Sequence, residues 1–338
     1  MYQRRAVALR KDLPRGQRNE ALSGGDTVTN ERPGNIAASI RQRLLDLSRE
    51  RGEDFQLILT WYAAERFLCR LALSKYSKQF ILKGAMLLNV WMDRSHRPTR
   101  DLDFAGYVDA SPEQLINLFQ EICQVEVEAD GLQYDTESIQ VNEIRENQEY
   151  QGQRVRLVAY LEAARIPVQI DIGFGDVVTP EAEEISYPTL LDLPAPRILT
   201  YPPETVVSEK LQAMVALGIF NSRMKDFYDL RMMSKKFTFD GLKLVDAIKA
   251  TFNRRRTEIP GSAPIAFTEE FSMDRDRVTQ WKAFLTRTGL GNTAVDLPQI
   301  IEELKLFLIP PLQAAASGGD FNLEWARGGP WLTVGEQD

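Results

Sequence analysis

Apolar residues recur every three to four positions from Ile36 to about Ser74, with an interruption near Arg51 and Gly52. This spacing predicts two amphipathic helices, because residues three and four apart share one helix face. Residues 1–35 are rich in Arg, Gly, Asn and Pro and lack apolar periodicity. We therefore expect a flexible basic arm before the helices, with no functional site in it.

The next part of the chain alternates short apolar runs with polar turns. The pattern predicts a strand, a turn, a helix, a polar loop and a second strand, over Phe80–Leu82, 83–84, Ala85–Met92, 93–100 and around Leu102–Phe104. A helix over Pro112–Val125 with Ser111 as its N-cap follows. Period-two alternation then predicts an antiparallel hairpin of Gln153–Leu161 and Pro167–Phe174.

A proline-rich connector at Pro194–Pro203 separates this part from a region dominated by helices. The predicted helices are one bracketed by Pro203 and Gly218, then Lys225–Lys235, Asp240–Arg254, Met273–Arg287 and Leu297–Leu308. The Gly-rich end, with two tryptophans, is expected to be partly ordered. The fold class is thus α+β, with a core at 36–195, a helical lobe at 196–312 and a tail at 313–338.

Composition excludes several classes of mechanism. No apolar run in the 338 residues approaches the roughly 18 residues of a membrane span, so we expect a cytoplasmic protein that does not cross a membrane. The two cysteines, Cys69 and Cys123, lie among apolar residues typical of buried thiols. A single histidine, His96, leaves no material for a Ser–His or multi-histidine zinc site. The net charge of −7 argues weakly against a protein coated in nucleic acid, although it permits a local basic groove.

Asp101 and Asp103 are the first candidates for chemistry. In a strand the two carboxylates share one face, and Leu102 between them points into the core. Adjacent like charges repel each other, and a magnesium ion with its preference for oxygen ligands would stabilise the pair. The same spacing in Asp274–Asp276 lies in a polar segment typical of a helix, where residues i and i+2 do not share a face. We assign that second pair to the surface.

Gly84 lies between an apolar strand and a helix. A glycine at this position lets a phosphate approach backbone amides at the positive end of the helix, although a tight turn alone would also explain it. The chain contains no G-x-x-x-x-G-K-[ST] motif, which excludes a P-loop enzyme.

Asp171 is a single carboxylate in a strand that otherwise alternates apolar and polar residues. Placing such a charge among Val and Ile is costly unless it is paired or binds a metal. Asp171 would complete a three-carboxylate cage for two metal ions together with Asp101 and Asp103. The alternative is a salt bridge to Arg154 or Arg156 on the partner strand.

A further group of charges lies in the predicted helical lobe. Lys210 follows Glu209 on the first helix, and Arg223, Asp226 and Asp229 are spaced along one face of a later helix. A lysine facing a cleft would hold a triphosphate as a point charge, and Asp226 would bond Arg223, Lys210 or a nucleotide. Both groups would also fit a solvated helix surface without a role.

Together these segments resemble the AbiEii/AbiGii toxin family of nucleotidyltransferase-like proteins, which includes abortive-infection toxins and tRNA-modifying toxins of mycobacteria. The segments that carry the resemblance are Phe80–Gly84, Arg97–Asp103, the strand with Asp171, Glu209–Ala213 and Arg223–Leu230. They occur in the order and spacing of the family, from about Ile36 to Phe307. Where the family often has Gly-Gly or Gly-Ser after the first strand, this chain has Gly84 and Ala85, which removes a hydroxyl contact to phosphate.

The resemblance implies a nucleotidyltransferase-like mixed β-sheet core followed by a C-terminal helical lobe. It also implies a nucleoside triphosphate (NTP) as co-substrate, Mg²⁺ as cofactor and a cognate antitoxin as partner. By the same resemblance, Asp101, Asp103 and, less directly, Asp171 bind the metal, Lys210 holds the triphosphate, and Asp226 is the acidic residue needed for toxicity. The predicted catalytic set is Asp101, Asp103, Asp171, Lys210 and Asp226, and the predicted nucleotide-binding set is Lys83, Gly84, Arg100, Lys210, Arg223 and Asp229.

The function expected from this resemblance is transfer of a nucleoside monophosphate from an NTP to an acceptor hydroxyl, the 3′ end of tRNA, which would block translation. Three alternatives stay open: modification of a protein hydroxyl or of the enzyme itself, a nucleotide-binding protein without activity, and a metal-dependent nuclease. Intact Asp101, Asp103 and Lys210 argue against an inactive protein. A nuclease would have no need of Gly84 and Lys210 to bind phosphate.

Overall fold

The computed structural model describes residues 34–92, 98–147, 150–290 and 295–333. It consists of a first lobe built on a β-sheet and a second, mostly helical lobe. His96 and most of the expected basic arm lie outside the described residues. In the described part of the chain, no helix has both the length and the apolar character needed to cross a membrane.

The first lobe contains the two N-terminal helices and the predicted strand–turn–helix–strand unit. Its elements are α1 (Gly34–Arg51), α2 (Phe55–Leu73), β1 (Phe80–Lys83), α3 (Gly84–Trp91), β2 (Asp101–Gly106), α4 (Pro112–Cys123), β3 (Leu132–Asn147), β4 (Tyr150–Leu161), β5 (Ala164–Phe174), β6 (Glu183–Ser186) and β7 (Arg197–Thr200). Helix α2 begins after Asp54, whose carboxylate accepts a hydrogen bond from the Leu57 backbone N–H at 2.9 Å. Capping of this kind satisfies an N–H that the helix cannot pair internally.

The strands of the first lobe form one mixed sheet in the order β3-β4-β5-β2-β1-β7-β6. Strand β2 is parallel to β5, β1 is parallel to β7, and the other neighbours are antiparallel. Phe67 of α2 and Phe119 of α4 stack at 5.6 Å, and Phe80 of β1 packs edge-on against Phe119 at 6.1 Å. These helices therefore cover one face of the sheet and fix β1 and β2 at its centre.

The second lobe begins with a helix at the predicted residue. Its elements are α5 (Pro203–Leu217), a 3-10 turn (Gly218–Phe220), α6 (Met224–Lys236), β8 (Phe239–Asp240), α7 (Gly241–Arg254), a second 3-10 turn (Ile265–Phe267), α8 (Glu269–Ser272), α9 (Arg275–Thr288), α10 (Leu297–Ser317), β9 (Leu323–Trp325) and β10 (Trp331–Thr333). Proline at the first turn of α5 and Gly218 at its C-cap agree with the sequence signals used to place this helix.

The proline-rich segment predicted as a connector contains a strand of the first lobe. Strand β7 pairs with β6 and, at Leu82 and Thr200, with β1. Ile198 and Thr200 are buried, at 5% and 1% exposure, because alternate residues of the strand face the core. The sheet therefore extends to Thr200 rather than ending at residue 195.

Helix α10 is longer than predicted. It continues through Pro310 and Pro311 to Ser317, although two prolines favoured an end at Leu308. The last turns bury Leu312, which is 0% exposed. Burial of this apolar side chain offsets the hydrogen bonds that the prolines cannot make.

The tail after α10 is part of the second lobe rather than a loosely ordered extension. Strands β9 and β10 form a three-stranded sheet with β8. Trp325 is 4% exposed and donates its indole N–H to the Ser234 carbonyl at 2.7 Å, while Trp331 stacks on Phe307. The two tryptophans order this segment because they bury large aromatic surfaces with a satisfied N–H. Residues 334–338 lie outside the described part.

Two predictions about individual side chains are confirmed. The Asp274 carboxylate caps α9 by accepting from the backbone N–H groups of Asp276 and Arg277 at 3.1 and 3.0 Å, so this pair belongs to a helix start on the surface. Cys69 and Cys123 are buried free thiols.

Candidate active site

Asp101 and Asp103 lie on the same face of β2, as the alternation predicts. Leu102 and Phe104 point into the core and are 0% and 1% exposed, whereas the two carboxylates are half-buried. The strand thus presents a pair of like charges at the edge of a closely packed core.

Asp171 lies beside Asp103 in the neighbouring strand, and Arg154 lies beside Asp171 in the next one. Arg154 donates from Nε to Asp171 Oδ1 at 2.7 Å and from Nη2 to Oδ2 at 2.6 Å. The salt bridge that the sequence left open is therefore present. Within the described residues, no group of three His, Cys, Asp or Glu side chains is arranged to hold a metal ion. Arg154 engages both oxygens of Asp171, and the three-carboxylate cage stays a prediction.

Burial raises the pKa of both carboxylates on β2. The pKa of Asp103 rises to about 6, mainly through burial, with Asp171 and Asp101 adding to the shift and Lys83 opposing it. Burial, and then Asp171, also raise the pKa of Asp101. Neighbouring groups of the protein therefore do not fully offset the cost of burying the charged forms of Asp101 and Asp103. Asp101 and Asp103 fit a divalent cation that prefers oxygen ligands, such as Mg²⁺.

Gly84 forms the turn between β1 and α3 in a left-handed conformation, with φ of +71°. A Cβ at this residue would overlap the Asp103 carboxylate, with Asp103 Cγ only 2.6 Å away. Only glycine satisfies both the backbone conformation and the close neighbour. Since α3 begins at Gly84, the first backbone N–H groups of the helix lie beside the carboxylate pair, at the end of the helix that favours anions.

In the second lobe, Lys210 and two aspartates form an ion cluster that faces the carboxylate pair of the first lobe. Lys210 Nζ lies 2.6 Å from Asp226 Oδ1 and 2.8 Å from Asp229 Oδ2, and the two aspartates are 1% and 0% exposed. Arg223 Nε lies 2.7 Å from the second oxygen of Asp226. An ammonium group has three donors, so these two bonds leave one for a ligand. These side chains therefore form a buried ion cluster and not a solvated helix face.

Electrostatics keeps this cluster charged. Burial alone would raise the pKa of Asp226, but Lys210 and then Arg223 outweigh it, and the net pKa is lowered. Burial alone would lower the pKa of Lys210, but Asp226 and Asp229 outweigh it and raise the net pKa. Lys210 is therefore a protonated point charge under all ordinary conditions.

A cavity of about 600 Å³ lies between the two lobes and brings the predicted residues together. The predicted residues that line it are Lys83, Gly84, Arg100, Asp101, Asp103, Asp171, Lys210, Arg223 and Asp226. Asp229 does not line the cavity and supports Lys210 from behind. The second lobe thus folds back over the sheet, as the convergence of these residues requires. Their catalytic and binding roles stay predictions.

Some residues near the cavity were not found by sequence reasoning. Tyr201 and Arg255 line it, and Asp176 lies behind its wall with 6% exposure. Tyr201 occurs in a proline-rich segment, Arg255 in a run of three arginines, and Asp176 two residues after a strand. None of these local patterns distinguishes them, because only the tertiary fold brings them together.

Arg100 and Lys225 are exposed at the cavity and come from different lobes. In the described ranges neither makes an ion pair, whereas Lys83, Arg154 and Lys210 are each paired with a carboxylate. Lys225 was not predicted, although it directly precedes Asp226. These two cations are available for an anionic ligand at the cavity.

Comparisons with known proteins found two similar solved structures and a matching family. Two crystal structures from Helicobacter pylori are similar to the chain: a candidate nucleotidyltransferase with 16% identity and a TM-score of 0.44, and the protein JHP933 with 17% identity and a TM-score of 0.45. Each covers 78% of this chain, and the chain covers 96% and 94% of them respectively. No curated protein sequence is significantly similar. The model of the family described as "Nucleotidyl transferase AbiEii toxin, Type IV TA system" matches residues 66–308, and the chain therefore belongs to this family of nucleotidyltransferase toxins from toxin–antitoxin systems.

Proposed function

We propose that the protein transfers a nucleoside monophosphate from an NTP to the 3′ end of tRNA in a metal-dependent reaction that blocks translation, and that a cognate antitoxin neutralises it. The observation that carries this proposal is the cavity between the lobes, with a carboxylate pair on one wall and a buried lysine on the other. A metal-bound triphosphate needs oxygen ligands for the metal and cationic groups for the phosphates. The cavity offers both.

Asp101 and Asp103 would hold Mg²⁺, which when bound stabilises negative charge on the reacting phosphate. The N-terminus of α3 at Gly84 would bind phosphate oxygens, and the third N–H of Lys210 would bind the triphosphate from the opposite wall. In the transfer, the acceptor hydroxyl oxygen bonds to the α-phosphorus and the bond from that phosphorus to its bridging oxygen breaks. Pyrophosphate leaves, and the hydroxyl proton passes to water.

The acceptor is inferred from the family resemblance and from the charges at the cavity. Arg100 and Lys225 carry exposed positive charge there without carboxylate partners in the described part of the chain. An acceptor with its own phosphates would be attracted by these two cations, which a neutral protein hydroxyl would not be. This supports RNA over protein as the acceptor.

Incubation of the purified protein with each α-³²P-labelled NTP, Mg²⁺ and total cellular RNA or protein tests the proposal. We expect one NTP to label RNA of tRNA size, and EDTA to remove the labelling. Label in protein bands would instead support protein modification, and shortened RNA without label would support a nuclease. Nucleotide binding without either product would indicate a non-enzyme.

Gly84→Ala should reduce transfer by at least about 100-fold, because displacement of catalytic groups by about 1 Å can cost that much. The added methyl would push the Asp103 carboxylate aside. Initial rates of labelling measure the effect.

Gly289→Ala is a matched control for backbone strain. Gly289 has φ of +72°, close to the +71° of Gly84, but no atom of the described residues lies within 4 Å of a Cβ built there. Left-handed strain costs about 1–2 kcal/mol at either residue, so both variants should lose stability while only Gly84→Ala loses activity. Equal activity in the two variants would remove the role assigned to Gly84.

A further inference from the structure

A buried polar cluster lies beside the cavity and connects the two lobes. Asp176 Oδ2 lies 2.6 Å from Lys83 Nζ, and the Tyr201 hydroxyl lies 3.1 Å from both Asp176 Oδ2 and Glu209 Oε1. Arg255 Nη2 lies 3.1 Å from Glu209 Oε1 and 3.7 Å from Asp176 Oδ1. Lys83 Nζ is also 3.5 Å from Glu209 Oε2. Two carboxylates thus share two cations and one phenol.

Asp176 is the one member of this cluster that is buried behind the cavity wall. It is 6% exposed and does not line the cavity, whereas Lys83, Tyr201, Glu209 and Arg255 do. Burial alone would lower the pKa of Lys83, but Glu209 and then Asp176 outweigh it and raise the pKa. Asp176 therefore acts on a ligand only through the side chains that it holds.

The segment that carries Asp176 is itself fixed to both lobes. The Tyr107 hydroxyl of the first lobe donates to the Asp176 carbonyl at 3.0 Å. Arg254, the last residue of α7 in the second lobe, donates to the Gly175 carbonyl. The chain after β5 is thus an attachment point between the lobes.

The cluster lies next to both phosphate-binding groups in sequence. Lys83 directly precedes Gly84, and Glu209 directly precedes Lys210. The contact between Lys83 and Glu209 therefore links the residue before Gly84 to the residue before Lys210 across the two lobes. Positioning of this kind matters because a small displacement of a binding group is costly in a transfer reaction.

We infer that Asp176 is a positioning residue: by holding Lys83 and Arg255 it sets the distance across the cavity at which Gly84 and Lys210 bind one triphosphate. The inference rests on the proposed function, since it concerns the same site. It adds a contact between the lobes that keeps Gly84 and Lys210 at a fixed distance from each other.

Asp176→Asn tests the inference, because it removes the charge and keeps the shape. Two quantities are measured: kcat and KM for the NTP in the labelling assay, and the Kd for an NTP whose α–β bridging oxygen is replaced by methylene, with Mg²⁺. We expect kcat/KM to fall and the Kd to rise by at least about tenfold.

Asp130→Asn is the matched control. Asp130 is 3% exposed and pairs with Arg70 at 2.6 and 3.2 Å, but it lies away from the cavity. Both variants should lose stability in urea, and only Asp176→Asn should lose affinity for the analogue. Unchanged affinity in Asp176→Asn, or an equal loss in both variants, would overturn the inference.

The assays separate this inference from the proposed function. If the wild type binds the analogue but transfers no nucleotide, the proposed function fails and the Kd comparison still decides the role of Asp176. If the wild type does not bind the analogue, both are overturned.

Discussion

Asp103→Asn is expected to remove nucleotidyl transfer, by about a thousandfold or more, while the protein stays folded. Asn matches Asp in size, so it fits beside Gly84, but it lacks the charge that a divalent cation requires. A bound metal supplies several kcal/mol of stabilisation to the reacting phosphate, and each 1.4 kcal/mol corresponds to a factor of ten in rate. Initial rates of labelling with excess Mg²⁺ measure the loss. Full activity in a folded Asp103→Asn variant would contradict the metal assignment.

The same variant should be more stable than the wild type when metal is absent. The pKa of Asp103 is about 6 in the folded protein, mainly through burial, and about 3.9 in an unfolded chain. The folded state thus binds this proton more tightly, so ionised Asp103 destabilises the fold above pH 6, and the penalty disappears as the pH falls towards 4.

Urea unfolding in EDTA measures this difference. At pH 8, Asp103→Asn should exceed the wild type by about 3 kcal/mol in free energy of unfolding, and the two should converge near pH 4. A constant difference across this pH range would show that Asp103 does not titrate as its surroundings require.

Lys210→Ala should be the most destabilising of the substitutions considered, at about 3–5 kcal/mol, because it removes the ammonium group that two buried carboxylates share. Asp226 and Asp229 are 1% and 0% exposed, and the Lys210 ammonium is hydrogen-bonded to both. The free energy of unfolding in urea measures the loss. Lys225→Ala is a control for stability, because Lys225 is exposed and makes no ion pair in the described residues.

A neutral version of the cluster separates folding from function. The triple variant Lys210→Met, Asp226→Asn, Asp229→Asn carries no charge at these three positions. Because burying a charge is costly, this variant should regain much of the stability that Lys210→Ala loses. Transfer should stay at least about 100-fold below the wild type, since the lysine that binds phosphate charge is missing. Recovery of both stability and transfer would assign Lys210 a purely structural role.

The elements that were predicted correctly are those that local sequence patterns define. The unit around Gly84 and the β4–β5 hairpin are defined by short apolar runs and by alternation, and the helices of the second lobe by caps and apolar spacing. Strand β3 was missed because it lies at the sheet edge and carries many polar residues. Strands β7, β9 and β10 were missed because each has three or four residues and depends on distant partners.

The same distinction applies to the site. Asp101, Asp103, Lys210 and Asp226 belong to short motifs whose residue types are informative together, so the sequence could select them. Asp176 is a single acidic residue in a loop, and its partners come from other parts of the chain. The sequence could not decide whether Asp171 pairs with an arginine such as Arg154 or binds a metal ion. Spacing along a strand does not determine what a carboxylate contacts.

The space beside Gly84 has a consequence at the level of the gene. Every single-base change that alters a glycine codon introduces either a stop or a residue with a Cβ, and no Cβ fits next to the Asp103 carboxylate. Every missense neighbour of this codon therefore displaces the Asp103 side chain. If transfer depends on Gly84 as proposed, one nucleotide change here disables the protein, and a lineage that keeps the activity preserves the codon's first two bases.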